Sequence, residues 1–162
     1  KGYSIKNTFI VTAAALAVIM VIAIIFSIRK KIKLKNSGIN TISTMSGITF
    51  EKYLKENLKR LGYNKISMTK ASGDFGADLI MYQGKDKIVV QAKRYSGSVG
   101  IAAVQQVIGA MAYYKADKGM VISNSFYTAA AKKLAKEADV ILWDRNDIVD
   151  KFKINNDDTP DH

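Results

Sequence analysis

Apolar and polar positions divide the chain into two unequal parts. From Asn7 to Ile28 there are 22 residues without a charge, and Phe9 to Ile28 is almost wholly Ala, Val, Ile, Leu, Met and Phe. At about 1.5 Å rise per residue, roughly 20 such residues cross a bilayer core of about 30 Å. A buried core helix rarely stays apolar on every face for that length. A cleaved signal peptide fits poorly, because a basic cluster follows the apolar run where a small-residue cleavage site would be needed. The pattern therefore predicts an anchor over residues 1–35, with one transmembrane helix and a basic flank. Residues 36–46 turn to Asn, Ser, Gly, Thr and isolated Ile, which reads as a flexible linker.

Residues 47–153 carry the periodicities of a globular domain. Phe50, Tyr53, Leu54, Leu58 and Leu61 recur at helical spacing from Thr49 to Leu61, and Gly62 ends the run. A short strand follows near Lys65 to Thr69, then a glycine-punctuated turn from Ala71 to Asp78. Two strands, about Ala77–Tyr82 and Lys87–Arg94, are joined by Gln83-Gly-Lys-Asp86 as a hairpin. Ile101–Tyr114 is an apolar helix, Gly119–Ser123 a strand, Thr128–Ala138 a helix and Val140–Trp143 a strand. Asp147–Phe152 adds a helical turn or two, and residues 154–162 form a polar, acidic tail. The order α-β-β-β-α-β-α-β predicts an α/β fold: a mixed β-sheet flanked by helices.

Composition narrows the chemistry. There is no cysteine, hence no disulfide, thiol nucleophile or cysteine-based zinc site, and the single histidine is the terminal His162. Serine–histidine triads and zinc hydrolases therefore lack their parts. Hydrolysis here must run on carboxylates, amides, lysine and a hard metal ion. The formal charge is +11, from 25 Lys and Arg against 14 Asp and Glu. Five of the basic residues (Arg29, Lys30, Lys31, Lys33, Lys35) directly follow the apolar run, and without them the balance is still 20 against 14. This cluster outweighs Lys1 and Lys6 on the other flank, so the positive-inside rule places the C-terminal domain in the cytoplasm, with the bilayer as a partner of the anchor.

The hairpin supplies a candidate site. A turn centred on Gly84-Lys85 sets Asp78 opposite Gln91, and Lys93, two residues on, projects from the same strand face as Gln91. Their neighbours are mostly apolar, and polar groups buried without partners cost several kcal/mol. A cation and an anionic substrate resolve that conflict. Asp78 offers a hard oxygen to Mg2+ (or Mn2+), with the Gln91 amide oxygen and the Ala92 main-chain carbonyl as further ligands. Such a metal acidifies a bound water and offsets transition-state charge, while Lys93 orients that water or stabilises developing charge on phosphate. Glu51, at the edge of the first helix, can complete the shell.

Asp78 followed thirteen residues later by Gln91-Ala92-Lys93 resembles the D…(E/Q)xK signature of the PD-(D/E)XK nucleases. The surroundings resemble Mrr-like catalytic domains: Phe50-Glu51, Leu61-Gly-Tyr63, Gly73-Asp-Phe-Gly-Ala-Asp-Leu-Ile80, Val90-Gln-Ala-Lys-Arg94, Val104-Gln105, Gly109-Ala110 and Ile122-Ser-Asn-Ser-Phe126 with Ala129 and Ala130. The similarity runs from about Gly47 to Phe152. It implies a restriction-endonuclease-like αβββαβ core, double-stranded DNA as substrate, a divalent metal, and catalytic roles for Asp78, Gln91 and Lys93. Glu51 would be the first-helix acid and Gln105 an accessory helix residue. Glutamine stands where glutamate is commoner in the wider superfamily.

Taken singly, each residue has an ordinary reading. Asp78 suits a turn, Gln91 and Lys93 an exposed strand face, Glu51 a surface pair with Lys55, and Gln105 a helix surface. Gly73 and Gly76 make no phosphate loop, since no Gly-Lys-Ser/Thr follows. Their joint arrangement favours an endonuclease that cuts DNA, as a homodimer if both strands are cut. The alternatives are a catalytically silent, membrane-tethered DNA-binding module and a structural membrane protein.

Overall fold

A computed structural model of the chain describes residues 10–11, 15–27, 42–69 and 75–152. The chain divides into two compact units, Lys1–Ser37 and Gly38–His162. In the first, residues 10–11 and 15–27 are helical and their side chains are exposed. No helix among the described residues is long and apolar enough to cross a membrane. Both flanks of the expected span, its basic cluster included, lie outside the described residues, as do 36–41 of the linker and the tail from 153.

The second unit is built on a five-stranded sheet in the order β1-β2-β3-β4-β5: β1 (Asn64–Met68), β2 (Leu79–Gln83), β3 (Asp86–Lys93), β4 (Lys118–Ser123) and β5 (Val140–Trp143). β1, β2 and β3 are antiparallel neighbours, whereas β3, β4 and β5 run parallel. The β2–β3 turn is tight because Gly84 takes φ +62° at its first central position, where a type II′ hairpin places glycine. The resulting register, Leu79 opposite Val90 through Gln83 opposite Asp86, is the one a Gly84-Lys85 turn dictates.

Among the described residues four helices cover the sheet: α1 (Gly47–Arg60), α2 (Ile101–Tyr114), α3 (Ala129–Glu137) and α4 (Arg145–Lys151). Strand alternation sorts the core into two layers. Leu79, Met81, Ile88, Val90, Met120 and Ile122 face Phe50, Leu54 and Leu58 of α1 and Ile148 of α4. Val89, Val121 and Val140 face Val104, Val107 and Ala110 of α2 and Ala131 and Ala135 of α3. β3 and β4 are covered on both sides, so they read as near-continuous apolar runs interrupted at their carboxyl ends. Truncating Leu54, fully buried, to alanine would cost about 2–5 kcal/mol. Helix starts follow their caps: Ser46 accepts from Thr49 N at 3.1 Å, Thr128 from Ala131 N at 3.2 Å, and Asp144 forms a capping box with Asp147.

Within the segment expected as a linker, residues 42–44 form a helical turn whose Ile42 is only 2% exposed. Ile42 packs in the same layer as Phe50 and Trp143, with Met45 against it, so the folded unit begins before Gly47. A lone isoleucine among polar residues carries no periodicity, and its burial is set by tertiary contact alone.

Candidate active site

β3, β4 and β5 are parallel and β2 runs against β3, so the start of β2 meets the carboxyl ends of the other three at one end of the sheet. Asp78 stands immediately before β2. Its main-chain N–H donates to the Val90 carbonyl at 2.8 Å, and its own carbonyl accepts from Thr69 N at 3.0 Å, which ties it to β1 as well. Asp78 Oδ2 accepts from the Gln91 amide through a very short contact and from Ala92 N at 2.7 Å. Asp78 and Ala92 are half-buried and Gln91 is 5% exposed. Lys93, also half-buried, lies two residues beyond Gln91 and on the same strand face.

The approach to Asp78 is held by a close backbone contact. Gly76 has φ +87°, and a Cβ there would stand 2.7 Å from the Gln106 carbonyl oxygen and 2.8 Å from Gln106 Cβ on α2. Only glycine fits both the conformation and the space. Beside it, Phe75 stacks on Tyr113 of the same helix, centroids 3.8 Å apart and planes 20° from parallel. Tyr113 is 57% exposed, so it belongs to this surface stack and not to the core edge.

Beyond the strand ends, side chains continue the ladder between β3 and β4. Ser123, fully buried, donates to the Lys93 carbonyl at 2.7 Å and accepts from Ser125 N at 3.1 Å. Asn124, 5% exposed, accepts from Tyr95 N at 2.7 Å and donates to Ser43 Oγ at 3.1 Å. Arg94 donates to the Ser43 carbonyl at 3.1 Å. Deeper at this end, the Tyr127 hydroxyl donates to the Val121 and Trp143 carbonyls at 2.8 and 3.1 Å. Burial pushes that phenol well above its ordinary value of 10.0, and the nearby carboxylates of Asp144 and Asp147 push it further in the same direction.

Of the residues singled out from sequence, Asp78, Gln91 and Ala92 are in direct contact, and Lys93 adjoins them. Glu51 and Gln105 arrive from opposite sides of the sheet, Glu51 half-buried on α1 and Gln105 exposed on α2. Ser123, Asn124, Ser43 and Gly76 were not assigned roles from sequence. The Ser-Asn-Ser run at the end of an apolar strand was the visible signal for Ser123 and Asn124, and the glycine-punctuated turn was the signal for Gly76.

The donor set suits a hard cation. Asp78 supplies a carboxylate, and the amide nitrogen of Gln91 turned towards it leaves Oε1 as the atom Gln91 would offer. In an extended strand the Ala92 carbonyl points to the same side as its N–H, towards the region that β2 vacates. All are oxygen ligands of the kind Mg2+ or Mn2+ accepts. Among the described residues no group of three or more His, Cys, Asp or Glu side chains gathers to hold a metal.

With this geometry in view, comparison with known proteins is decisive for the family. The Mrr catalytic-domain model, described as restriction endonuclease, matches residues 42–152. The chain belongs to the Mrr restriction endonuclease family. This match begins at Ile42, which is buried and is the first described residue of the second unit. The Mrr-family chain is 32% identical over 108 aligned positions to the type IV methyl-directed restriction enzyme EcoKMrr of Escherichia coli (strain K12), covering 62% of this chain and 36% of that protein. Among solved structures, the DNA modification-dependent restriction endonuclease AspBHI superposes with a TM-score of 0.61 at 20% identity, over 75% of this chain and 35% of that one. A protein of unknown function, AF1548, superposes with a TM-score of 0.50 at 10% identity, over 58% of this chain and 55% of that one. These two show the fold. The chain spans little more than a third of the length of EcoKMrr and of AspBHI.

Proposed function

We propose that this Mrr-family chain is a metal-dependent endonuclease that hydrolyses phosphodiester bonds of double-stranded DNA, in the manner of type IV restriction. The observation that carries the reading is the contact of Asp78 with Gln91 and Ala92 at the sheet end, with Lys93 on the same face. Asp78, Gln91 and the Ala92 carbonyl would hold Mg2+ or Mn2+, with Glu51 and Gln105 as accessory groups. A divalent cation bound there would supply a nucleophile at neutral pH and offset charge on the transferring phosphate. Lys93 would place its ammonium against a non-bridging phosphate oxygen, where a fixed positive charge stabilises the extra negative charge of the transition state. Gln91, donating to Asp78, would keep that carboxylate aimed at the metal position. Membership of the family and the likeness to a methyl-directed relative support DNA as substrate and modified DNA as the class attacked. Cutting both strands would require a second copy of the chain.

The uncharged run Asn7–Ile28, helical and exposed where described, supports membrane anchoring, with its basic flank and the nuclease domain on the cytoplasmic side.

The test is plasmid cleavage by the full 162-residue chain in detergent, with magnesium or manganese, beside Lys93→Ala. Metal-dependent nicking that falls at least a hundredfold in the variant is the expected result. A second reading, a silent DNA-binding module, draws on the glutamine at position 91, where glutamate would carry a charge. It predicts salt-dependent DNA binding with no cleavage in either metal.

A further inference from the structure

We infer that Ser123 and Asn124 are positioning residues for Lys93, forming a side-chain clamp that carries the β3–β4 pairing past the strand ends; this rests on the reading of Lys93 as catalytic. The last ladder pair is Lys93 with Ser123. Beyond it β3 leaves the sheet, and Tyr95 to Ser98 are exposed. A lysine at such a terminus would normally sit on a fraying backbone.

Here the backbone is gripped on both sides of Lys93. The Ser123 hydroxyl holds the Lys93 carbonyl at 2.7 Å, and the Asn124 side-chain oxygen holds the Tyr95 N–H at 2.7 Å. Both gripping side chains are buried, 0% and 5% exposed, and among the described residues no buried side-chain N or O lacks a partner. Burying two hydrogen-bonding side chains at the end of an otherwise apolar strand is costly unless they are satisfied, and their partners belong to the chain around Lys93. Asn124 also donates to Ser43 Oγ, and Arg94 to the Ser43 carbonyl, so the turn preceding α1 closes the clamp from outside. The α-carbon of Lys93 is thereby fixed, and its flexible side chain has less freedom to lose on reaching phosphate.

The test compares the full-length wild type with Ser123→Ala, Asn124→Ala and Asn124→Asp. The last keeps an oxygen for Tyr95 N–H and can accept from the Ser43 hydroxyl. Single-turnover cleavage, DNA affinity, melting temperature and amide hydrogen exchange at Tyr95 are read together. The clamp predicts that Asn124→Ala lowers the single-turnover rate at least tenfold, leaves DNA affinity within about twofold, and speeds Tyr95 exchange at least tenfold. Asn124→Asp should recover most of the rate. An unchanged rate in both alanine variants, or a loss that Asn124→Asp does not repair, overturns the positioning role while leaving the nuclease reading intact. A wild type that cuts no DNA in magnesium or manganese overturns the nuclease reading, and the catalytic purpose of the clamp with it.

Discussion

Gln91→Glu distinguishes a cation site from a structural hydrogen bond. The Gln91 amide donates to Asp78 Oδ2, and residue 91 is 5% exposed. The substitution removes the donor and sets two carboxylates in contact. Losing a hydrogen bond to a charged group costs about 1.5–3 kcal/mol. Two like charges about 4 Å apart repel by about 4 kcal/mol at an effective dielectric near 20, which the pair avoids by taking up a proton at a comparable cost at neutral pH. The protonated carboxyl can itself donate to Asp78 in place of the lost amide, so the two costs are alternatives, and a net destabilisation of about 4 kcal/mol without metal follows, or roughly 10 °C or more in melting temperature for a domain of this size. A divalent cation reverses the sign: the added carboxylate strengthens the site, and excess magnesium restores the lost stability through linkage. Acidification also restores it, because a carboxyl of the folded pair that holds its proton more tightly than the unfolded chain does stabilises at low pH, and the benefit is lost as pH rises. The assay is thermal unfolding of both proteins across a magnesium titration in EDTA-treated buffer, with the metal concentration for half-maximal cleavage measured alongside. An unchanged apo melting temperature, or one that magnesium does not raise, would refute a shared cation site at positions 78 and 91.

Three further outcomes are expected. Lys93→Ala should abolish cleavage while DNA affinity stays within a few fold and the melting temperature within a few degrees, since Lys93 is only half-buried; gel-shift and scanning calorimetry check this. Gly76→Ala should destabilise by about 1–3 kcal/mol, because φ +87° and a 2.7 Å approach to Gln106 both oppose a Cβ, and denaturant titration would read it. Tyr127→Phe should cost about 1–3 kcal/mol at neutral pH by leaving two buried carbonyls short of a donor. Burial raises the folded phenol above 10.0, so its contribution is full below that pH and declines above it as the unfolded chain ionises. The gap between wild type and variant, followed by denaturant unfolding from pH 8 to pH 11, should therefore narrow only above about pH 10; a gap constant to pH 11 would count against the buried phenol.

The parts legible in the sequence were those governed by local rules. Ile101–Tyr114 and Val140–Trp143 coincide with their expected bounds because apolar spacing and flanking glycine or turn residues mark them. The Asp78–Gln91 contact was legible because a two-residue turn leaves one register, and one residue of slip would turn Gln91 to the other face. What stayed hidden depends on partners distant in sequence. Ile42 is buried in the layer that holds Phe50 and Trp143, Gly76 is required by Gln106, and Asn124 bridges Tyr95 to Ser43, 81 residues away. None of these leaves a periodic trace. The first helix starts two residues before its apolar pattern suggests, since Ser46 caps it and the intervening residues are exposed.

The first strand bears on how the molecule behaves in a crowd. Among the described residues β1 pairs with a strand on one side only, which makes it an edge of the sheet. Its register against β2 shifts between Asn64 and Ser67, and Lys65 sits there with φ +49°, its ammonium 5.5 Å above the Tyr82 ring. A bulge and a charged residue at such an edge twist the backbone out of plane and deny a stranger a regular row of partners. Replacing that stretch with a flat, regular strand would remove a guard against self-association and leave the chemistry at the far ends of β3 and β4 untouched.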